Sequence, residues 1–394
     1  MASPDYDAVI IGAGAAGSMC AIEAAKRGRK VILIDHSKKF GEKIRISGGG
    51  KCNFTNTHCG VENFISSNPK FCVSALNQYS QNDFIKLIQY HKIPYHEKKM
   101  GQLFCDNSSR DILNLLNNLA TKYQVDISLS EQILQIEKNE TAFFVTTSKK
   151  KILTKSLVVA TGGLSIPKIG ATKFGYDVAS QFNHTIIETR PGLVPLIFKN
   201  ELLAHCKQLS GVSLVAKVSF GGHSFRDGLL FTHRGLSGPS ILQISSYWQC
   251  GKSITINLAP EHDTEYFLKR KKNSQSKQDV QNALCEILPK RLAQQICLEI
   301  NISGSLANVS NGKLKIISSR INHWTVEPDG TEGYRTAEVT IGGVNTRKVS
   351  SKTMESHLQK GLYFVGEALD VTGHLGGHNF QWAWSSGWVA GQNI

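Results

Sequence analysis

Ala8-Val9-Ile10-Ile11-Gly12-Ala13-Gly14-Ala15-Ala16-Gly17 runs from an apolar, strand-type tetrad straight into a glycine-rich turn. Ser18 to Arg27 follows, alanine-rich and helix-compatible, and Gly28 suits the residue just past a helix end. Lys30 to Ile34 reads as a second buried strand, closed by Asp35, 23 residues after Gly12. Strand, G-x-G-x-x-G turn, helix, strand and terminal acid at this spacing make a complete βαβ dinucleotide-binding unit. Gly12 permits the tight turn out of the strand. Gly14 lets backbone N–H groups approach a pyrophosphate, and Gly17 lets the helix lie close to the strand. The helix start, with free N–H groups and the positive end of its dipole, faces the phosphates. Asp35 can accept hydrogen bonds from the hydroxyls of an adenosine ribose and repels a 2′-phosphate, which favours FAD or NAD over NADP.

Working outward, Gly41-Glu42-Lys43-Ile44-Arg45-Ile46-Ser47-Gly48-Gly49-Gly50-Lys51-Cys52-Asn53-Phe54-Thr55-Asn56 holds three consecutive glycines. Such a run is costly to order and makes sense where backbone lies against a flat or anionic ligand. It is not a Walker loop, because Cys52 follows Lys51 where Ser or Thr would be needed. Leu157-Val158-Val159-Ala160 reads as a buried strand running into Thr161-Gly162-Gly163, and Leu164 to Gly170 follows. Gly361 to Val365 reads as a strand before Gly366-Glu367. Then Asp370-Val371-Thr372-Gly373-His374-Leu375-Gly376-Gly377-His378-Asn379-Phe380 forms a glycine loop opening a helix from about Asn379. Residues 83–92 and 111–122 read as helices, and Glu131–Ile136 and Ala142–Thr147 alternate as strands.

Taken together, these blocks resemble the BaiN/YhiN-like family of FAD-dependent oxidoreductases, which includes aminoacetone oxidases. The resemblance covers nearly the whole chain, with the blocks in order. It implies a Rossmann-like α/β fold of the two-dinucleotide-binding flavoprotein type, with an inserted β-barrel and a small helical bundle. The implied boundaries are 1–190 and 337–394 for the FAD-binding domain, 191–262 and 326–336 for the barrel, and 263–325 for the helices. Phe231 to Pro239 matches a family motif within the insert. The implied FAD cradle takes Gly12, Gly14, Ala15, Ala16, Gly17, Asp35 and His36 from the first unit. Lys43, Ser47, Gly48, Gly49, Gly50, Cys52 and Asn53 come from the triple-glycine segment. Ile133, Thr161 and Gly162 follow, the strand near Ile133 contacting adenine through its backbone. Gly366, Glu367, Gly376, Gly377, His378, Asn379 and Phe380 complete it, with Glu367 on the ribityl chain. Two departures stand out: Asp35 replaces the usual glutamate, and His378 stands where many members carry tyrosine.

The remaining sequence bounds the function. The chain has 394 residues, 41% apolar and 19% charged, which excludes disorder, collagen and coiled coil as whole-chain descriptions. Nine scattered cysteines without a Cys-x-x-Cys argue against a disulfide framework, dithiol chemistry and a ribbon-type zinc site, and suit a reducing cytoplasm. No metal is expected. No run of about 18 apolar residues is present, so no membrane span is expected, and Met1 to Ile11 lacks the basic start of a signal peptide. A second G-x-G-x-x-G is missing, which argues against a built-in NAD(P)H domain. The expected enzyme moves a hydride between a noncovalent flavin and a small organic substrate, an amine, ketone or enone, lying by the 48–53 and 374–379 loops and the insert. Oxygen or NAD(P)H is the electron partner. His378, His374 and His233 are the acid/base candidates because imidazole titrates near neutrality, and Cys52 is a candidate ring contact. The alternative is a flavin-dependent RNA-modifying protein, motivated by the net charge of +14 and by Lys269-Arg270-Lys271-Lys272. That run lacks interleaved aromatics beyond Phe267 and reads more simply as a solvated helix face, so a small-molecule partner ranks ahead of nucleic acid.

Overall fold

Four parallel strands end level with one another, and that shared edge organises the molecule. In the computed structural model, which describes residues 3–275 and 277–394, Tyr6–Ile11 pairs with Val31–Ile34 on one side and with Lys151–Val159 on the other. The register sets Ile11 opposite both Ile34 and Val159, and Val159 opposite Phe364 of the strand Leu362–Phe364. Asp126–Ser128 adds a fifth parallel strand beside Val31–Ile34. Two antiparallel strands, Phe143–Thr147 and Ile133–Lys138, complete seven. Strands covered on both faces must be apolar throughout, and Val31–Ile34, Leu157–Val159 and Leu362–Phe364 are buried at every position. In such sheets ligands bind beyond the carboxyl ends of the strands. The residues just past those ends here are Gly12, Asp35, Ala160-Thr161 and Val365-Gly366.

The chain divides into two compact units, residues 1–190 with 339–394, and residues 191–338. In the first, the helix Ala15–Lys26 follows the opening strand and packs against the sixteen-residue helix His378–Asn393. The crossing is close because two positions carry no side chain. A Cβ on Gly387 would collide with the Ala16 carbonyl oxygen, and one on Gly391 would lie 2.7 Å from that of Cys20. A three-stranded sheet of Asn53–Asn56, Gln102–Cys105 and Tyr95–Glu97 stands beside these helices.

The second unit has its own core. Its seven-stranded antiparallel sheet runs in the order Trp324–Val326, Ile254–Asn257, Ser213–Phe220, His223–Phe231, Gly235–Ser237, Leu196–Ile197, Gly330–Thr331. Only residues 327–329 join the two edge strands. Four Cα steps span at most about 14 Å, so the sheet curls until its edges nearly meet. That is a barrel-like form without a closing ladder among the described residues. The helices Thr264–Ser274, Val280–Leu284, Lys290–Glu299 and Asn311–Asn322 share the apolar cluster of this sheet.

Candidate active site

The first turn is built by exclusion of side chains. Gly12 has φ +111°, and a Cβ there would strike the Ala160 carbonyl oxygen; one on Gly17 would strike the carbonyl of Gly12. Gly14 differs, since nothing stands within 4 Å of where its Cβ would be, and it begins the helix without a side-chain cap. The helix thus starts beside a bare glycine, with no side chain capping its first-turn N–H groups. Asp35 receives the Ala13 N–H on one carboxylate oxygen and the Ser37 N–H on the other, both at 2.7 Å. These bonds fix the carboxylate and leave each oxygen a further lone pair. His36 lies half-exposed, 3.6 Å from Asp35 Oδ1. The Glu131 N–H donates to the Asp35 carbonyl at 3.0 Å, which brings the start of the Ile133 strand to this acid.

Glu367, past the Leu362–Phe364 strand, sits in a network rather than standing alone. Lys43 Nζ donates to its Oε2 at 2.6 Å and to Ser165 Oγ at 2.6 Å. The Thr340 N–H and Ser165 Oγ donate to Oε1 at 2.8 and 3.3 Å. Thr340 Oγ1 in turn accepts the Leu164 and Ser165 N–H groups. One ion pair therefore ties the triple-glycine segment, the loop after Thr161-Gly162 and the Gly366 turn together. Gly48, Gly49 and Gly50 all have positive φ, 57°, 66° and 84°. Space is open at Gly49 and Gly50, whereas Gly48 is pressed against Phe104 and the Asn53 backbone. Ser47 Oγ donates to the Ile44 carbonyl.

The C-terminal loop is held by the strand that follows those glycines. Asn56 Nδ2 donates to the Gly376 carbonyl at 2.9 Å, and Thr55 Oγ1 donates to Gln381 Oε1 at 2.6 Å. The Asn53 amide, oriented to satisfy both its ends, donates to the Leu103 and Thr55 carbonyls and accepts the Gly377 N–H. A Cβ on Gly377 would collide with the Thr55 carbonyl. Asn379 closes the loop on itself, accepting the Gly373 N–H and donating to the Gly373 and His374 carbonyls. Trp382 Nε1 donates to the Gly366 carbonyl and Trp384 Nε1 to that of Phe54, while Phe380 stacks on Trp384. The helix starts at Gly377 with no side-chain cap, so its N–H groups and dipole are available to negative charge.

The acid/base candidates separate here. His378 is 5% exposed, and its Nδ1 lies 3.4 Å from Cys59 Sγ. Burial, with His374 and His58 nearby, lowers it to about 3, so it is neutral at pH 7. His374 belongs to the same loop, its ring 6.4 Å from that of His378 and its N–H on the Asn63 carbonyl. Cys52 is fully buried, and burial pushes its thiol up to about 12. His233 lies in the second unit, exposed in the turn between His223–Phe231 and Gly235–Ser237. Sequence reasoning missed Ser165 and Thr340 of the Glu367 network, and Thr55, Asn56, Gln381 and Cys59 around the loop. Thr55 and Asn56 were quoted only as the motif's tail; Thr340 has no motif around it.

These residues fit a dinucleotide with a ring system at its far end. There is a bare helix start with an oriented acid, a glycine face with open space, and a second bare helix start. The protein they define is a flavoprotein, with a Rossmann-like FAD-binding domain. The chain belongs to the family described as HI0933-like protein Rossmann domain, whose model matches residues 6–393. A ribosomal RNA dihydrouridine synthase of Escherichia coli K12 is 47% identical over 99% of this chain and 98% of its own length. A protein of the same name from Haemophilus influenzae Rd is 46% identical over 98% of each. A 3-dehydro-bile acid delta(4,6)-reductase of Clostridium scindens is 27% identical over 97% of each. The chain is an FAD-dependent oxidoreductase. No helix among the described residues is long and apolar enough to cross a membrane.

Proposed function

We propose that this chain is a flavin-dependent reductase of a uracil base in ribosomal RNA, forming dihydrouridine. The observation that carries the reading is near-full-length identity of 47% and 46% to two relatives with that name. It supports the RNA alternative over the ranking of a small molecule ahead of nucleic acid. That ranking judged the 269–272 run by its lack of aromatics, whereas attraction to RNA phosphates needs only cations.

Uracil C5=C6 is conjugated with the C4 carbonyl, so reduction is a conjugate addition. C6 gains a hydride, negative charge gathers on O4 and C5, and C5 then takes a proton. FAD, when bound and reduced by a nicotinamide donor, would supply the hydride and return to its oxidised form. The residues of this chain bind, orient and stabilise. Asp35 and the bare turn at Gly14 hold the adenosine end. The bare start of His378–Asn393 stabilises negative charge on the pyrimidine side of the ring. The Lys43–Glu367 pair fixes the turns between them. His378, neutral and buried, packs against Cys59 and Phe64 at the start of the helix. His374 is our candidate for the proton delivered to C5, because Cys52 is sealed in the core and His378 does not carry an exchangeable positive charge at pH 7.

Nucleoside mass analysis of ribosomal RNA from cells without the gene tests this reading. The loss of one dihydrouridine and its return with the wild-type gene are expected. Unchanged dihydrouridine in the deleted strain would sink the proposal, and turnover of a small enone by the purified protein would then favour the reading closer to the C. scindens relative.

A further inference from the structure

The hairpin of Tyr95–Glu97 and Gln102–Cys105 carries its tip beside the loop from His374 to Gly376. Lys98, Lys99 and Met100 make that tip, closed by the Lys98 N–H on the Gln102 carbonyl at 2.8 Å. One amide joins tip and loop: Asn56 Nδ2 donates to the Met100 carbonyl at 3.0 Å and to that of Gly376 at 2.9 Å. The Thr57 N–H donates to the Gly101 carbonyl at 2.8 Å, and a Cβ on Gly101 would collide with Thr57 Oγ1. At its other end the loop rests on a second turn, where the His374 N–H meets the Asn63 carbonyl and Val61 is 40% exposed. The hairpin also leans on the glycine face: Lys98 Nζ stands 4.0 Å over the Phe104 ring, which presses on Gly48.

Methionine at position 100 adds little packing. Its backbone is left-handed, φ +58°, a conformation that glycine adopts without strain, and its side chain is 64% exposed. The other apolar residues among the described non-glycine positions with positive φ are Cys52, Ile166, Leu193 and Met354. Those are buried or half-buried, so packing holds them. Strain held without burial points to a side chain that meets a ligand. Lys98 and Lys99 beside it are exposed, with Glu97 the single acid of the tip, a balance that favours a polyanion. A target base in folded RNA must leave its stack to reach a flavin. Proteins that unstack nucleic acids commonly fill the opened step with an apolar side chain, methionine included. A flexible, polarizable thioether also packs well against aromatic rings.

We propose that Met100 fills the stack vacated by the target uridine and so holds that base out towards the flavin, with Lys98 and Lys99 on the flanking phosphates. The inference rests on the RNA reading above and adds a positioning residue to it. Met100 touches a neighbouring base and not the reacting atoms, so it acts on placement of the uracil rather than on hydride or proton transfer. The lysines supply affinity without choice of sequence.

The test uses the full-length FAD-loaded protein, reduced anaerobically with one equivalent of dithionite, and ribosomal RNA from cells without the gene. Reoxidation of the flavin by saturating RNA is followed over a single turnover. Met100→Gly should keep the flavin spectrum and melt no lower than wild type, since glycine relieves the left-handed turn. Its rate should fall by at least about tenfold, because an unfilled step lets the base return to its stack. Met100→Leu should recover most of that rate, and Met100→Gln, similar in length but polar, should not. Lys98→Glu with Lys99→Glu should raise the RNA concentration at half-maximal rate, and less so at high salt; an unchanged concentration would overturn the phosphate contacts. A wild-type rate in Met100→Gly would overturn the proposal, as would equal rates in Met100→Gln and Met100→Leu. So would a slow Met100→Gly that has also lost flavin or stability, because the turn would then serve the cradle. The RNA reading fails separately, and the inference with it, if reduced wild-type protein leaves this RNA without new dihydrouridine.

Discussion

His378 shows how one position can be prominent in a sequence and yet play another part. The motif places an imidazole in a glycine loop, which reads as an acid/base group. Folding seals it, and burial lowers it from 6.5 to about 3. Unfolding then takes up a proton between those values. Stability is therefore intact above about pH 6.5 and falls as the pH drops towards 3, by up to on the order of 4 kcal/mol. Denaturant titrations at pH 7 and pH 4 should show a larger loss for wild type than for His378→Gln; equal losses would mean the ring is not sealed. Asp35 is the opposite case, since sequence and structure agree on an oriented carboxylate at a strand end. Asp35→Ala removes hydrogen bonds to a charged acceptor, worth about 1.5–3 kcal/mol. Apoprotein titrated with FAD should accordingly bind about ten- to a hundredfold more weakly, and unchanged affinity would remove Asp35 from the ribose.

Among elements, the βαβ unit was legible because its signals are local: an apolar run, glycines at fixed offsets, an acid at the next strand end. The helix starting at His378 instead of about Asn379 is a shift of one residue. The stitching of Asn53–Asn56 to the tail loop was not legible, because Thr55 and Gln381 meet across 326 positions and neither residue type announces a partner. The same holds for Thr340, whose N–H and hydroxyl serve Glu367 and the Leu164 turn from a stretch with no motif. These distant bonds carry a mutational signature. Asn56→Ala strips the Gly376 carbonyl of a buried donor and should cost about 1–3 kcal/mol. Faster flavin loss on dilution, followed by fluorescence, is expected with it. Gly387→Val forces a branched side chain into the Ala16 backbone, a strain costing about 3 kcal/mol or more. A thermal melt within error of wild type would show that the two helices can part without harm.

At the scale of the molecule, residues assigned to the cofactor all lie in 1–190 and 339–394, while the second unit has a separate core. Calorimetry should resolve two transitions. Added FAD should raise only one of them, with a stabilisation growing as RT ln(1 + [L]/Kd). A single transition shifted as a whole would mean that the cores unfold together. The composition change after Pro191 was visible in the sequence, and the family resemblance implied the insert's barrel; the three-residue link between the sheet's two edges was not legible, since no motif marks it. The discontinuity of the first unit also has a consequence for biosynthesis. The opening strand and its helix leave the ribosome early, yet Leu362–Phe364, Glu367 and the helix from His378 follow more than 170 positions after Arg190. At ~5–20 residues per second the nascent chain waits roughly twenty to seventy seconds between the opening helix and the tail strand. The insert can fold in that interval, but the flavin cradle cannot close. With the tail residues in the proposed cradle, capture of the coenzyme is expected to be a late step, and chains truncated before the helix His378–Asn393 should purify colourless.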